Sequence, residues 1–290
     1  MRRSKIFSLG LWLGVAVLSG CSSSKPLGTD ASSGGSGASP AECDAPGYHA
    51  DSAPVTITQV SATVRDASGT AAVDLPVQVC GLDQCFTGRT DSAGKTRVAP
   101  GTSLLRPAFK YGDGFEFAEL AIELDHVPTQ DLGELVALPL PTYAQGAAFP
   151  KSGRLKNGDL TLFIESNTRV VHDILTYGDE SKLVFRTVAV PLVESALAFP
   201  QSFGFELAYA LAPLGTTFCP AARLSLENSA GFSAETELEV FVQGLDTSES
   251  WAPYGSWVKV AEARVSSDAT RIETTSGGIP ILSSIAVRRK

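Results

Sequence analysis

The chain from residue 55 onward is built from short runs in which hydrophobic and polar side chains alternate. The clearest runs place their large apolar residues two positions apart: Leu160, Leu162 and Ile164; Phe205, Leu207, Tyr209 and Leu211; and Leu238, Val240 and Val242. A period of two residues is that of a β-strand with one buried face and one solvated face. The pattern therefore predicts an all-β fold made of antiparallel, Ig-like or transthyretin-like β-sandwiches.

Breaks in this alternation predict the domain organisation. Proline and glycine interrupt it at Pro139, Pro141, Gly146, Pro150 and Gly153. We therefore expect one β-sandwich domain at residues 50–142 and a second at residues 153–290. The roughly 250 residues involved would also suffice for one large β domain.

The N-terminus has the order of an export signal. Arg2, Arg3 and Lys5 precede an apolar stretch at residues 6–18, and small residues lead to Cys21. An apolar stretch of this length is well short of the roughly 20 residues that span a bilayer as a helix. We expect a signal peptide at residues 1–20. An ordinary signal peptide that is cut near Cys21 by chance, or a short membrane helix, is the alternative.

The run Leu18-Ser19-Gly20-Cys21 resembles the lipobox of bacterial lipoproteins. The resemblance implies lipidation of Cys21, which would anchor the chain to the membrane without spanning it. It also implies a location in the cell envelope. Ser22 in place of an aspartate favours the outer membrane, on its periplasmic or surface face. Residues 21–42, rich in serine and glycine, are predicted to form a disordered linker.

The charge of the chain excludes one class of partner. The full sequence has 23 basic and 31 acidic residues, and removal of the signal peptide takes away three basic residues, leaving a net charge of −11. Such a chain is not expected to bind nucleic acid. A solvated acidic surface, or a weak attraction for cations, fits this balance.

Four cysteines follow Cys21, namely Cys43, Cys80, Cys85 and Cys219. An even number in an exported chain predicts two disulfides, and four cysteines allow three pairings. Only four residues separate Cys80 from Cys85, so a turn there could pair them, which would leave Cys43 for Cys219. A metal site is the alternative, but no histidine is near these cysteines and their spacing is not Cys-x-x-Cys.

Two turns in the first predicted domain carry a family resemblance. Asp66-Ala67-Ser68-Gly69 is followed by the Pro76-Val77 strand and then by Thr90-Asp91-Ser92-Ala93-Gly94. Aspartate can bond to its own turn and glycine supplies a positive φ. This order over about 45 residues resembles the carboxypeptidase-regulatory-like or transthyretin-like β-sandwich. The resemblance implies a non-catalytic accessory or structural module.

The second predicted domain carries a fainter resemblance. The run Pro213-Leu214-Gly215 through Phe218-Cys219-Pro220 is similar to a strand of ZU5-like sandwiches, although its second proline falls one place early. The Ile-Pro step of that family is also missing, because Glu165 follows Ile164. The resemblance implies a sandwich that interacts with other proteins.

Trp251, Tyr254 and Trp257 form an aromatic cluster near the C-terminus. Exposed aromatic rings stack on sugars and on protein partners, so these residues are candidate ligand-binding residues. The alternative is that Trp257 begins a strand and packs in the core, with the other two covering it.

Candidate catalytic chemistry is sparse. The three histidines, His49, His126 and His172, lie in no metal-binding or catalytic motif, and no nucleophile elbow is present. We therefore predict no catalytic, cofactor or metal site. The sequence is interpreted as an envelope lipoprotein with a non-catalytic binding or structural role and an envelope protein or a polysaccharide as partner. The alternatives are a carbohydrate- or matrix-binding surface module that uses Trp251, Tyr254 and Trp257, and a hydrolase whose site is scattered along the sequence.

Overall fold

The computed structural model describes residues 45–48, 53–173 and 177–290, and confirms the all-β prediction. The strands of the first half are β1 (Val55–Ile57), β2 (Gln59–Asp66), β3 (Pro76–Cys80), β4 (Cys85–Arg89), β5 (Lys95–Val98), β6 (Thr102–Leu104), β7 (Ala108–Tyr111), β8 (Leu120–Glu123) and β9 (Thr129–Ala137). The predicted signal peptide at residues 1–20, Cys21, the predicted linker to residue 42, Cys43 and His49 lie outside the described residues.

Strands of the first half form two facing sheets and a short ribbon. The sheets have the orders β5-β2-β9 and β4-β3-β7-β8, and β1 pairs with β6. One pair departs from the antiparallel expectation, because β2 and β9 run parallel, with Val60 opposite Gln130. The chain crosses from β8 in one sheet to β9 in the other, and so reaches the edge of β2 in the same direction as β2.

The second half forms one large sheet that curves around its own core. Its strands are β10 (Ala147–Ala148), β11 (Gly153–Asn157), β12 (Leu160–Ile164), β13 (Arg169–Val171), β14 (Val184–Ala189), β15 (Leu207–Ala212), β16 (Thr217–Glu227), β17 (Glu237–Gln243), β18 (Trp257–Val265), β19 (Arg271–Gly277), β20 (Ile279–Ile281) and β21 (Ile285–Arg289). The long strand β16 pairs with β12, β13, β19 and β20. Short 3-10 helices lie at Tyr143–Gln145, Glu180–Lys182 and Gln201–Phe203.

The two turns of the first half adopt the geometry expected from their residues. Oδ1 of Asp66 and Oδ1 of Asp91 each accept hydrogen bonds from the backbone N–H groups two and four residues later. Gly69 and Gly94 have φ values of 81° and 76°, which other residues rarely adopt. These turns connect β2 with β3 and β4 with β5.

The halves share no strand pairing among the described residues, but they share a hydrophobic core. Buried residues of the first half, such as Val77 and Leu120, belong to the same cluster as Ala208, Ala210 and Ala286 of the second half. Alanine side chains are small, so the first half approaches β15 and β21 closely. All described residues belong to one compact unit.

This packing corrects the expectation that each strand has one solvated face. In β15, Tyr209 and Leu211 pack into the core of the second half, whereas Ala208 and Ala210 pack against the first half. Both faces are therefore buried. The alternating pattern did not reveal this, because alanine between larger residues can occupy a solvated face or a tight interface.

The cysteines of the hairpin between β3 and β4 are bonded to each other. Cys80 and Cys85 form a disulfide, which confirms the predicted pair. Cys219 on β16 is also disulfide-bonded, while its predicted partner Cys43 lies outside the described residues. Among the described residues, no helix is both long enough and apolar enough to span a bilayer.

Candidate binding cleft

A cleft of about 400 Å³ opens where loops of both halves meet. The first half contributes the end of β7 and the turn before β8. The second half contributes the turn between β15 and β16, the loop after β17 and the segment between β20 and β21. The residues that define its chemistry are Lys110, Asp113, Glu119, Asp173, Asp246 and Trp251.

The wall from the first half is held by local polar contacts. Lys110 Nζ lies 2.9 Å from Glu119 Oε1, and both side chains are mostly buried. Oδ1 of Asp113 accepts hydrogen bonds from the backbone N–H groups of Phe115, Glu116 and Phe117 at 2.8 to 2.9 Å. The positions of these charged groups are therefore set before any ligand arrives.

Gln243 lies at the end of β17 and is only 2% exposed. Its Nε2 donates to the carbonyl oxygens of Ala121, Ala198 and Gly255 at 2.8, 3.3 and 3.3 Å. These three acceptors fix which end of the amide is nitrogen. Gln243 also lines the cleft, and its buried Oε1 has no hydrogen-bond partner among the described residues.

The loop that carries Trp251 is fixed at both ends. The carboxylate of Glu249 is 2% exposed, forms an ion pair with Arg106 of the first half and accepts a hydrogen bond from the backbone N–H of Tyr254 at 2.8 Å. The backbone N–H of Gly47 donates to the carbonyl of Ser250 at 3.1 Å. The N-terminal segment at residues 45–48 is thus hydrogen-bonded to the Trp251 loop, beside the cleft.

The structure separates the three aromatic residues predicted to bind ligand. Trp251 is half-buried and lines the cleft. Tyr254 and Trp257 are only 2% and 6% exposed, so the prediction that they bind ligand is wrong for both. Trp257 packs against Phe199 and Phe205 and donates from Nε1 to the carbonyl of Ala198 at 3.1 Å. An indole that packs and bonds in the core cannot offer a face to a ligand.

Two tyrosines near the cleft keep their protons. Burial, with a smaller contribution from the charge of Glu119, raises the pKa of Tyr177 and of Tyr254 well above the usual value. The oxygen of Tyr177 accepts a hydrogen bond from the backbone N–H of Leu214 at 2.7 Å, which positions the turn before β16. Sequence reasoning did not single out Tyr177, Gln243 or the carboxylates of the cleft, because they come from separate strands and form no motif.

Neither of the described histidines lines the cleft. Nδ1 of His172 is 3.1 Å from Oγ1 of Thr216, and its ring packs against Phe149 with centroids 4.7 Å apart. His126 is exposed and lies by a shallow depression near Pro128. No three His, Cys, Asp or Glu side chains in the described residues are grouped closely enough to hold a metal ion.

Comparisons with known proteins give little further guidance. No protein-family model and no curated protein matches this chain. A solved structure of a Bacteroides uniformis protein, for which carbohydrate binding has been proposed, aligns with 81% of this chain and 100% of its own, at 9% identity and a TM-score of 0.21. A likeness this distant supports no statement about fold or ligand.

Proposed function

We propose that this protein is an exported, lipid-anchored binding protein that holds a saccharide in the cleft between its halves, without chemical conversion. The observation that carries the proposal is the position of Trp251. It is the one residue of the predicted aromatic cluster that reaches the cleft, and it stands there among carboxylates and the amide of Gln243.

A saccharide fits the chemistry of this arrangement. A flat aromatic ring packs against the C–H face of a sugar, and carboxylate oxygens accept hydrogen bonds from its hydroxyls. The supporting groups are rigid, because Glu249 and Arg106 fix the Trp251 loop and backbone N–H groups fix Asp113. A site held in place before binding loses little conformational entropy when the ligand arrives.

Export and anchoring are supported by the N-terminal sequence. Cys21 follows a basic start and a short apolar stretch, as in bacterial lipoproteins. The described structure begins beside the cleft at residues 45–48, so the proposed tether would join the protein close to its ligand. A polysaccharide in the cell envelope, or just outside it, would then lie within reach of the cleft.

Calorimetric titration of the mature chain with a panel of oligosaccharides tests the binding function. Trp251→Ala should lower the affinity about tenfold or more, because stacking on the ring is lost. Phe163→Ala, a half-buried aromatic on β12 outside the cleft lining, is the matched control and should bind like wild type. Equal binding by wild type and Trp251→Ala would rule out the cleft as the saccharide site.

Two further measurements test the remaining parts of the proposal. Mass analysis of the saccharides after prolonged incubation should find them uncut, and shortened products would reassign the protein as a hydrolase. In cell fractionation, wild type should sediment with the outer membrane, whereas Cys21→Ala should be soluble or unprocessed. Unchanged processing and location of Cys21→Ala would contradict the lipid anchor.

A further inference from the structure

One face of the second half is basic, although the protein as a whole is acidic. Residues 151–171, which include β11, β12 and β13, and residues 217–226 of β16, which pair with them, contain five basic and two acidic residues. The net charge of −11 on the predicted mature chain therefore divides into +3 on this region and −14 elsewhere. Five exposed side chains form this basic face: Lys151, Arg154, Lys156, Arg169 and Arg223.

Strand pairing brings the centre of the basic face together. Phe163 on β12 lies between Arg154 on β11 and Arg223 on β16 in the sheet register. The guanidinium carbons of the two arginines are 5.5 and 5.6 Å from the centroid of the Phe163 ring, so one aromatic side chain holds both cations. Lys156 lies on the same side of β11 as Arg154, because Leu155 between them is buried. These cations therefore form a group on one surface of the sheet.

The positive charge of this face is only partly neutralised within the protein. Among the described residues, Arg223 is the one member of the basic face that forms an ion pair, with Glu165 at 3.5 Å, and both of these side chains are more than half exposed. An exposed pair of this kind contributes little to stability, because water and salt screen it. The other acidic residue of the region, Asp159, lies in the turn between β11 and β12. A negatively charged partner would therefore meet several cations with little competition.

The basic face also carries apolar side chains, and it is separate from the cleft. Val171 follows Arg169 on the outer side of β13 and is 47% exposed, while Val170 between them packs against the core of the second half. None of the five basic residues lines the cleft. Exposed cations beside apolar groups suit the surface of a membrane, where lysine and arginine meet lipid phosphates and apolar groups enter the headgroup region.

We propose that the basic face rests on anionic phospholipid headgroups of the membrane that anchors the protein. The proposal rests on the lipid anchor of the proposed function for the presence of that membrane. The rest of the chain, with its charge of −14, is repelled by an anionic surface, so the basic face is the side that approaches it. A tether keeps the local concentration of the protein at the membrane high, so a weak contact is enough to orient it.

Sedimentation with vesicles tests this contact apart from the lipid anchor. The mature chain without its lipid is mixed, in low-salt buffer, with vesicles of phosphatidylcholine and phosphatidylglycerol in equal parts or of phosphatidylcholine alone. We expect it to sediment with the anionic vesicles and not with the neutral ones, and to be released as salt is added. A basic residue close to an anionic membrane raises the affinity about fivefold, so Arg154→Gln/Lys156→Gln should weaken binding about tenfold or more.

Two further variants locate the effect. Lys95→Gln/Arg97→Gln is the matched control, because these exposed residues have the same spacing on β5, which like β11 ends a sheet, but lie in the first half. Its binding to anionic vesicles should equal that of wild type. Glu165→Gln removes a negative charge and the partner of Arg223, so it should strengthen binding about threefold. Unfolding midpoints in urea show whether each variant keeps its fold.

The remaining outcomes overturn the proposal in distinct ways. Absence of sedimentation with anionic vesicles would exclude the contact, whereas the lipid anchor is judged separately by the fractionation of Cys21→Ala. Equal losses in the two double variants would assign the binding to overall charge instead of to this face. Tighter binding to soluble polygalacturonate than to vesicles, weakened by Arg154→Gln/Lys156→Gln, would replace the membrane with an acidic polysaccharide.

Discussion

Nη1 of Arg186 on β14 donates a hydrogen bond of 2.6 Å to the carbonyl oxygen of Phe115, in the turn between β7 and β8. The same nitrogen donates to the carbonyl of Pro141, and the guanidinium lies over the ring of Tyr143 at 4.0 Å. Arg186 is 1% exposed. One side chain of the second half thus fixes the turn that carries Asp113 into the cleft.

Replacement of Arg186 should destabilise the whole described unit. Arg186→Ala leaves buried carbonyl groups without a donor and opens a cavity, so we expect the free energy of unfolding to fall by about 3 kcal/mol or more. Arg186→Lys keeps the positive charge but loses the planar guanidinium group. Its free energy of unfolding should therefore lie between those of wild type and Arg186→Ala. Urea denaturation followed by tryptophan fluorescence measures both. A loss below about 1 kcal/mol in Arg186→Ala would contradict this role.

The ion pair of Arg106 and Glu249 should couple the first half to the loop that carries Trp251. Glu249→Ala leaves Arg106 without its partner and the backbone N–H of Tyr254 without its acceptor, so a loss of about 3 kcal/mol is expected. A double-mutant cycle with Arg106→Ala should give a coupling energy of about 1 kcal/mol or more. Additive losses would show that the two side chains act independently.

The disulfide between Cys80 and Cys85 should contribute modestly to stability. The bond closes a loop of a few residues, and a short loop restricts the unfolded chain less than a long one, so we expect a loss of roughly 2 kcal/mol in the Cys80→Ala/Cys85→Ala double variant. Urea denaturation without reductant leaves the other disulfide intact. A loss well above 4 kcal/mol would indicate that the hairpin depends on this bond to form.

His172 should make stability fall in mildly acidic solution. Burial lowers the pKa of His172 below its usual value of 6.5. The unfolded chain therefore takes up a proton at a pH where the folded chain resists it, and the free energy of unfolding decreases as the pH drops through 6.5 and below. The decrease should be smaller in His172→Gln than in wild type.

Thermal unfolding between neutral and mildly acidic pH measures this difference. The control is His126→Gln, because His126 is exposed, whereas the ring of His172 packs against Phe149 and bonds to Thr216. Carboxylates that titrate in the same range affect every variant and cancel in the comparison. Identical pH profiles for wild type and His172→Gln would exclude the effect.

Part of the site could be predicted from the sequence and part could not. Trp251 was singled out because a cluster of aromatic residues is visible in one dimension. Tyr254 and Trp257 belong to the same cluster, yet they are buried, since neighbours distant in the chain, such as Phe199 and Phe205, cover the position of Trp257. Spacing along the chain says which residues are near one another, but not which of them other segments will cover.

The sequence by itself determined the strand character of the chain, the two aspartate–glycine turns and the pairing of Cys80 with Cys85, because each depends on residues a few positions apart. Only the tertiary structure decided that β15 is buried on both faces and that Lys110, Asp173, Asp246 and Gln243 meet in one cleft. Those residues come from strands and loops separated by tens of residues. Their meeting is set by which sheet surfaces pack together, and local patterns do not encode that choice.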